Sequence, residues 1–188
     1  LEMVLEALPV SLTLAVLAMT SAVALAILIG SLAAIRPGGV FDRTASVVSL
    51  TGASAPDFWV AIMAILLFAV TLGWLPTSGT GTPWHWLMPV AVLLIRPFGL
   101  LVQVVRGAMV AALHAAYVKT AQSRGVRQRR IVFVHALRNS LLPVITVASD
   151  QAAGIINGAV IVETIFGLPG VGKLMIDAIV QRDFTVIQ

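Results

Sequence analysis

The sequence contains no cysteine and little charge of either sign. Of its 188 residues, 11% are Asp, Glu, Lys or Arg, whereas 59% are hydrophobic. Without cysteine the chain can form neither disulfides nor thiolate metal sites. A water-soluble domain carries about 25% charged residues, so this chain lacks the polar side chains that would cover a globule in water. The composition therefore predicts an integral membrane protein.

Acidic residues are the scarcer of the two charged classes. The chain has 8 Asp and Glu against 12 Lys and Arg, a net charge of +4. In a soluble protein this excess would suggest nucleic acid as a partner, but in a membrane protein it reflects Lys and Arg on the cytoplasmic side. No nucleic-acid partner is therefore expected. The first ten residues, LEMVLEALPV, lack the basic start of a signal peptide and an initiating Met, and we expect the chain to be a segment of a longer protein.

Four apolar runs are long enough to cross a bilayer as helices. They cover residues 11–35, 58–74, 86–112 and 140–166. The first run ends at Pro37-Gly38-Gly39, which is a helix stop, and the third is interrupted by Arg96-Pro97. The runs predict an all-α fold, a polytopic membrane helix bundle with about four transmembrane helices.

The connectors between these runs differ in charge. The first contains Arg36 and Arg43, the second (residues 75–85) contains no Lys or Arg, and the third is strongly basic. Alternate connectors are therefore basic, as four alternating spans require. The positive-inside rule places the first and third connectors in the cytoplasm, and the second connector and the C-terminal tail outside.

The third connector is the most basic part of the chain. Good helix formers from Ala115 onward and the break at Gly125 predict a short cytoplasmic helix, a glycine turn and a second helix that enters the membrane. On charge alone the connector is a topological anchor, but its small residues also allow close approach to a partner surface. Its basic residues are Lys119, Arg124, Arg127, Arg129, Arg130 and Arg138.

The residue order of this connector resembles a known family. Lys119-Thr120-Ala121, three further residues and Gly125 resemble the EAA signature of the permease subunits of bacterial ABC importers. The following HALRNSLLP (135–143) resembles the variant found in dipeptide, oligopeptide and nickel permeases. The chain departs from the wider family at Lys119, where that family has Glu. Three more segments resemble the same permeases: LAAIRPGGVFDR, LGWLPTSG and ETIFGLPGVGKLMIDAIVQRDFTVIQ.

The resemblance implies a MetI-like permease core over residues 1–188, with one further helix before residue 1 and one after Gln188, in a prokaryotic plasma (inner) membrane. It implies that the third connector is a coupling helix that contacts cytoplasmic ATP-binding subunits. The implied coupling residues are Ala116, Tyr117, Lys119, Thr120, Ala121, Arg124 and Gly125.

The resemblance also implies the partners and the reaction. A second, homologous permease would complete the translocation path, and the lipid bilayer would surround the subunit. An external solute-binding protein would dock on the outer segments, including a periplasmic stretch over 163–188. The partner subunits would hydrolyse ATP, so this chain is expected to be no enzyme and to carry no cofactor, metal or catalytic residue. Peptides, nickel chelates and glutathione remain open as substrates.

Three of the polar residues within the apolar runs are candidates for a helix contact or for the pathway. Arg96 and Asp150 each lie about ten residues inside consecutive runs, near the bilayer middle. A lone charge at that depth costs at least about 3 kcal/mol, so we hypothesise that the two pair with each other. A wet substrate path lined by each separately, and a different partner, remain alternatives. Asn157, beside Gly154 and Gly158, is predicted to lie at a helix contact or on the pathway.

Two other functions can be weighed from the sequence. A secondary transporter or channel would use Arg96 and Asp150 as a polar path and would need no ATPase. An intramembrane enzyme has no supporting set of residues. The segment from Gly167 to Lys173, GLPGVGK, matches the GxxxxGK pattern of a phosphate-binding loop. Leu174 follows it in place of the hydroxyl that binds Mg²⁺, so the segment is predicted to be a turn before an external amphipathic helix over 173–180.

Overall fold

The described residues fold into helices joined by short turns and by one longer connector, residues 72–83. The computed structural model describes residues 2–182, and within that range it contains no strand. Residues 183–188, the end of the predicted periplasmic stretch, lie outside the described range. The helices are α1 (Glu2–Ile35), α2 (Val40–Ser54), α3 (Asp57–Thr71), α4 (Trp84–His114), α5 (Ala116–Ser123), α6 (Gln128–Phe166) and α7 (Val171–Gln181).

Three of these helices, α1, α4 and α6, are long and apolar enough to cross a membrane. A fourth span results if α2 and α3 are counted together as one span. The predicted all-α membrane fold with about four spans is therefore confirmed. The helix predicted over 173–180 is confirmed as α7, which begins two residues earlier, at Val171, and its external location stays a prediction.

Helix boundaries near prolines differ from the sequence prediction. Helix α1 begins at Glu2 rather than at residue 11, and Pro9 lies inside it. Proline removes one backbone donor and its ring crowds the carbonyl four residues earlier, but membrane helices tolerate such an interruption, and α1 continues through it. Helix α4 likewise runs through Arg96 and Pro97, which do not end it.

The first connector is more helical than predicted, since it forms helix α2. The helix predicted after the glycine turn and the fourth apolar run (140–166) form one helix, α6, which begins at Gln128. Both α3 and α6 contain a π-helical stretch, Ile65–Thr71 and Ile131–Ala136 respectively. Such stretches widen a helix locally and are frequent at functional sites.

The described residues group into two compact units. The first unit comprises residues 2–20, 55–96 and 152–182, and the second comprises 21–54 and 97–151. Parts of α1, α3, α4 and α6, together with the turn before α7, contribute to the core of the first unit. Its buried apolar residues are Leu14, Ala18, Ala61, Met88, Val92, Leu93, Ala159, Val162, Phe166 and Leu168.

Small residues allow close helix contacts in the second unit. A Cβ placed at Gly30 of α1 would lie 2.8 Å from Cβ of Val105 on α4. A Cβ at Gly99 of α4 would lie only 2.2 Å from the carbonyl oxygen of Ser49 on α2. Gln103 Nε2 donates a 2.7 Å hydrogen bond to Ser49 Oγ at the same contact. Helix α4 therefore packs closely on both α1 and α2, as small residues permit in membrane bundles.

We expect Gly99→Ala to lower the free energy of unfolding by about 1–3 kcal/mol, because the new methyl group forces the α2 backbone to move. Thermal unfolding of the purified protein in detergent measures this change. Gly107 on the same helix is the matched control, since a Cβ there meets nothing within 4 Å. Gly107→Ala should be neutral or stabilising by up to about 1 kcal/mol through helix propensity. Equal destabilisation by both substitutions would contradict the close contact at Gly99.

Candidate functional site

A short helix in the second unit connects two membrane-length helices, α4 and α6. Helix α5 follows the extended residue Ala115 and ends at Ser123, with Arg124 as its C-terminal cap, and α6 begins at Gln128. The predicted short helix, its glycine turn and the membrane-length helix that follows are confirmed. The contact of this helix with ATP-binding subunits stays a prediction.

One buried side chain holds helix α5 against helix α6. Val118 is 1% exposed, and α5 packs against the π-helical stretch of α6, in which Ile131, Val132 and Ala136 are buried. Ala121 is half-buried. The helix therefore has an inner apolar contact and an outer face open to a partner. Most of the residues that the family resemblance implies for contact with the ATP-binding subunits are exposed: Ala116, Tyr117, Lys119, Thr120, Arg124 and Gly125.

The turn after α5 depends on Gly125. Its φ is +75°, in the left-handed region that favours glycine. The Gly125 N–H donates to the Gln122 carbonyl (2.9 Å), and the Val126 N–H donates to the Ala121 carbonyl (3.1 Å). This pair of bonds is the Schellman motif that ends many helices. A Cβ at Gly125 would meet nothing within 4 Å, so backbone conformation alone selects glycine here.

Basic side chains surround this turn and the start of α6. Arg124, Arg127 and Arg130 line one open pocket together with Gly125 and Val126. Between Asp57 and Asp150 the sequence contains no acidic residue. Among the side chains described, residues 3–182, no carboxylate lies within 4 Å of any of the connector's six basic side chains. Their charges are therefore available to an acidic partner or to phosphate groups.

The second unit also contains an ion pair that the sequence did not predict. Asp42 in the first turn of α2 is 3% exposed, and Arg106 of α4 donates to both of its carboxylate oxygens. The bond from Arg106 Nη2 to Asp42 Oδ2 is 2.7 Å long, and the Gly38 N–H donates to the same oxygen at 2.7 Å. Such a two-pronged contact is among the stronger polar interactions in proteins. It ties α2 to the half of α4 that leads into α5.

The predicted partners Arg96 and Asp150 are both exposed. Arg96 belongs to the first unit and Asp150 to the second, so their pairing stays a prediction. Arg96 and Asp57 belong to the same unit, but no salt bridge within 4 Å joins these two residues. Asp150 accepts a 3.3 Å hydrogen bond from the neighbouring Gln151.

Asn157 and its two glycine neighbours lie on α6 in the first unit. Asn157 is exposed and lines a pocket between α1, α6 and α7. A Cβ at Gly158 would lie 3.4 Å from both Asp57 Oδ2 and Leu93 Cδ2, whereas one at Gly154 would meet nothing within 4 Å. Gly158 therefore lies at a helix contact, as expected for a small residue, and Gly154 meets no other described helix.

Comparison with known proteins supports a transport family. Residues 26–188 match the family described as binding-protein-dependent transport system inner membrane component. The di/tripeptide transport system permease protein DppB of Pseudomonas aeruginosa is 39% identical over 208 residues, which cover 96% of this chain and 62% of that protein. The oligopeptide transport system permease protein OppB of Haemophilus influenzae is 37% identical and is matched over 99% of this chain and 61% of its own length.

A third relative is the dipeptide transport system permease protein DppB of Bacillus subtilis, which is 37% identical over 99% of this chain and 60% of its own length. The chain thus spans about three fifths of the length of these relatives. None of these comparisons supports a secondary transporter or channel. The family description and the apolar helices confirm the predicted multi-pass location in the inner membrane. The chain belongs to the MetI-like family of binding-protein-dependent transport system inner membrane components.

Proposed function

We propose that this chain is the membrane-spanning permease subunit of an ATP-driven importer of peptides. The observation that carries the proposal is the packing of helix α5. Its Val118 is buried against α6, and its opposite face is exposed. Helix α5 lies between α4 and α6, two helices long enough to cross a bilayer. A short helix in this position can pass the motion of a soluble partner directly into membrane helices.

Cytoplasmic ATP-binding subunits are the partner that this arrangement favours. The Schellman turn at Gly125 sets the direction in which the chain leaves α5, and Arg124, Arg127 and Arg130 surround that turn. An acidic surface on the ATP-binding subunit would complement these cations. The partner subunit would hydrolyse ATP, and α5 would transmit the resulting movement to α4 and α6. Lys119, which departs from the wider family, lies on the exposed face of α5 and would contact the same partner.

The remaining components follow from the family and its relatives. The family is named for its dependence on binding proteins, which supports an external solute-binding protein that delivers the substrate. A second permease would complete the path between the two sides of the membrane. The similar proteins are permeases of di/tripeptide, oligopeptide and dipeptide transport systems, and these names favour peptides over nickel chelates or glutathione.

Uptake is expected to require the ATP-binding subunits. The assembled transporter, reconstituted in liposomes with its binding protein and a labelled peptide, should accumulate peptide only when ATP is present on the side of the ATP-binding subunits. Replacing these subunits with an assembly-competent, hydrolysis-inactive form should abolish accumulation. Peptide uptake driven by an ion gradient without ATP-binding subunits would contradict the proposal and favour a secondary transporter whose path uses Arg96 and Asp150.

A further inference from the structure

A buried carboxylate lies at the start of helix α7. Glu163 of α6 is 0% exposed. Its Oε2 accepts hydrogen bonds from the backbone N–H groups of Gly172 (2.8 Å) and Lys173 (3.2 Å). Ser11 of α1 donates to Oε1 at 2.6 Å, and Ser11 Oγ in turn accepts from the Val171 N–H at 2.9 Å. One carboxylate therefore connects three helices of the first unit.

These bonds satisfy the backbone groups that a helix leaves open at its start. The first N–H groups of a helix have no partner within it, and the helix dipole makes this end attractive to negative charge. Gly170, the residue before α7, has no side chain with which to cap the helix. Glu163 supplies the missing acceptor directly for two N–H groups, and Ser11 supplies it for a third.

The glycines of this segment are explained by the same contact. A Cβ at Gly170 would lie 2.3 Å from Glu163 Cδ, and one at Gly172 would lie 2.5 Å from Val160 Cα. Both distances are far below van der Waals contact, so a side chain at either position would displace α7 from α6. The resemblance of GLPGVGK to a phosphate-binding loop therefore has a physical basis. Its amides bind an anion, and that anion is the carboxylate of Glu163.

We propose that Glu163 is a positioning residue that fixes α7 to α1 and α6, so that the three move as one body during transport. A pocket of about 340 Å³ between these helices is lined in part by Ser11, Asn157 and Glu163, and its shape depends on this attachment. The consequence for transport rests on the proposed function: α7 is predicted to lie on the outer side, where a solute-binding protein would dock. Loss of the attachment would therefore weaken docking.

Hydrogen–deuterium exchange of the protein in detergent micelles tests the attachment. In Glu163→Ala, the N–H groups of Val171, Gly172 and Lys173 should exchange at least about tenfold faster, because hydrogen bonds to a charged group are lost. In the milder Ser11→Ala, the Val171 N–H should be affected most. Thr164→Val is the control, since Thr164 is exposed and its hydroxyl bonds only to the Val160 carbonyl of its own helix.

Folding and function can be separated in these variants. Peptides from α4 and α5 should exchange as in the unmodified protein, which establishes that the variant is folded. Unchanged exchange at residues 171–173 in a folded Glu163→Ala variant would overturn the proposal. Because this measurement needs no ATP, binding protein or peptide, its failure is distinct from a failure of the proposed function.

The consequence for docking is tested with Glu163→Gln in the assembled transporter. The concentration of binding protein that half-maximally stimulates ATP hydrolysis should rise by at least about threefold while the maximal rate is retained, as expected for a lost binding contribution. A fall in maximal rate without a change in half-saturation would overturn the docking role. Thr164→Val should leave both quantities unchanged.

Discussion

Replacing Asp42 with alanine is expected to lower the free energy of unfolding by about 3 kcal/mol or more, because it leaves Arg106 without the partner that compensates its charge. Asp42 is 3% exposed and the Arg106 side chain is 30% exposed, so the remaining guanidinium reaches water only in part. The substitution also removes the acceptor of the Gly38 N–H. Equilibrium unfolding in detergent, or the midpoint of thermal unfolding, measures the loss.

Three variants separate the charge from the shape of this contact. Asp42→Asn keeps an acceptor for Gly38 but loses the charge, so its cost should be intermediate. The double variant Asp42→Ala with Arg106→Met removes both charges and should recover part of the lost stability. Arg43 is the neighbouring exposed control, and Arg43→Ala should change stability by no more than about 0.5 kcal/mol. Similar effects of Asp42→Ala and Arg43→Ala would contradict a stabilising ion pair.

Gly125→Val is expected to weaken association with the ATP-binding subunits at least about tenfold and to abolish peptide uptake. A left-handed backbone costs an ordinary residue about 1–2 kcal/mol, and more for a β-branched one, which corresponds to a tenfold or larger change in an equilibrium. The strain displaces the Schellman turn, so α5 no longer presents its outer face in the same orientation. Co-purification of the ATP-binding subunits and ATP hydrolysis stimulated by the binding protein measure the effect.

Two matched variants test whether the turn, rather than general strain, is responsible. Gly125→Asn should retain most of the association, because asparagine tolerates the left-handed region. Gly73→Val introduces the same strain elsewhere: Gly73 has a φ of +62°, and a Cβ there meets nothing within 4 Å. Gly73 lies in the predicted outer part of the chain, so this variant should still bind the ATP-binding subunits. Equal loss in Gly73→Val and Gly125→Val would contradict a specific role of α5.

Much of the fold could be predicted because membrane insertion depends on local composition. An apolar run must satisfy its backbone hydrogen bonds within itself, and a helix does so without knowledge of its neighbours. The same is true of α5 and its turn, since a residue in the left-handed region is usually glycine. The continuation of α1 through Pro9 and the helix α2 were less predictable, because an extra turn of helix depends on what surrounds it.

The candidate site divides in the same way. The residues of the connector and their order along α5 could be predicted, but the burial of Val118 and the exposure of Lys119 depend on packing against α6. The predicted pair of Arg96 with Asp150 was based on depth in the bilayer alone, and depth does not specify which helices are neighbours. It remains to be tested.

The sequence alone predicts that this is a membrane protein with about four spans. It also predicts the glycine turn of the connector and the family resemblance. Each of these features depends on composition or on a few consecutive residues. The sequence does not predict the contact of Asp42 with Arg106, or those of Glu163 with Ser11 and α7. The partners in these contacts are far apart in the chain and meet only when the helices pack. A charge within an apolar run requires a partner, but only the folded arrangement of the helices specifies it.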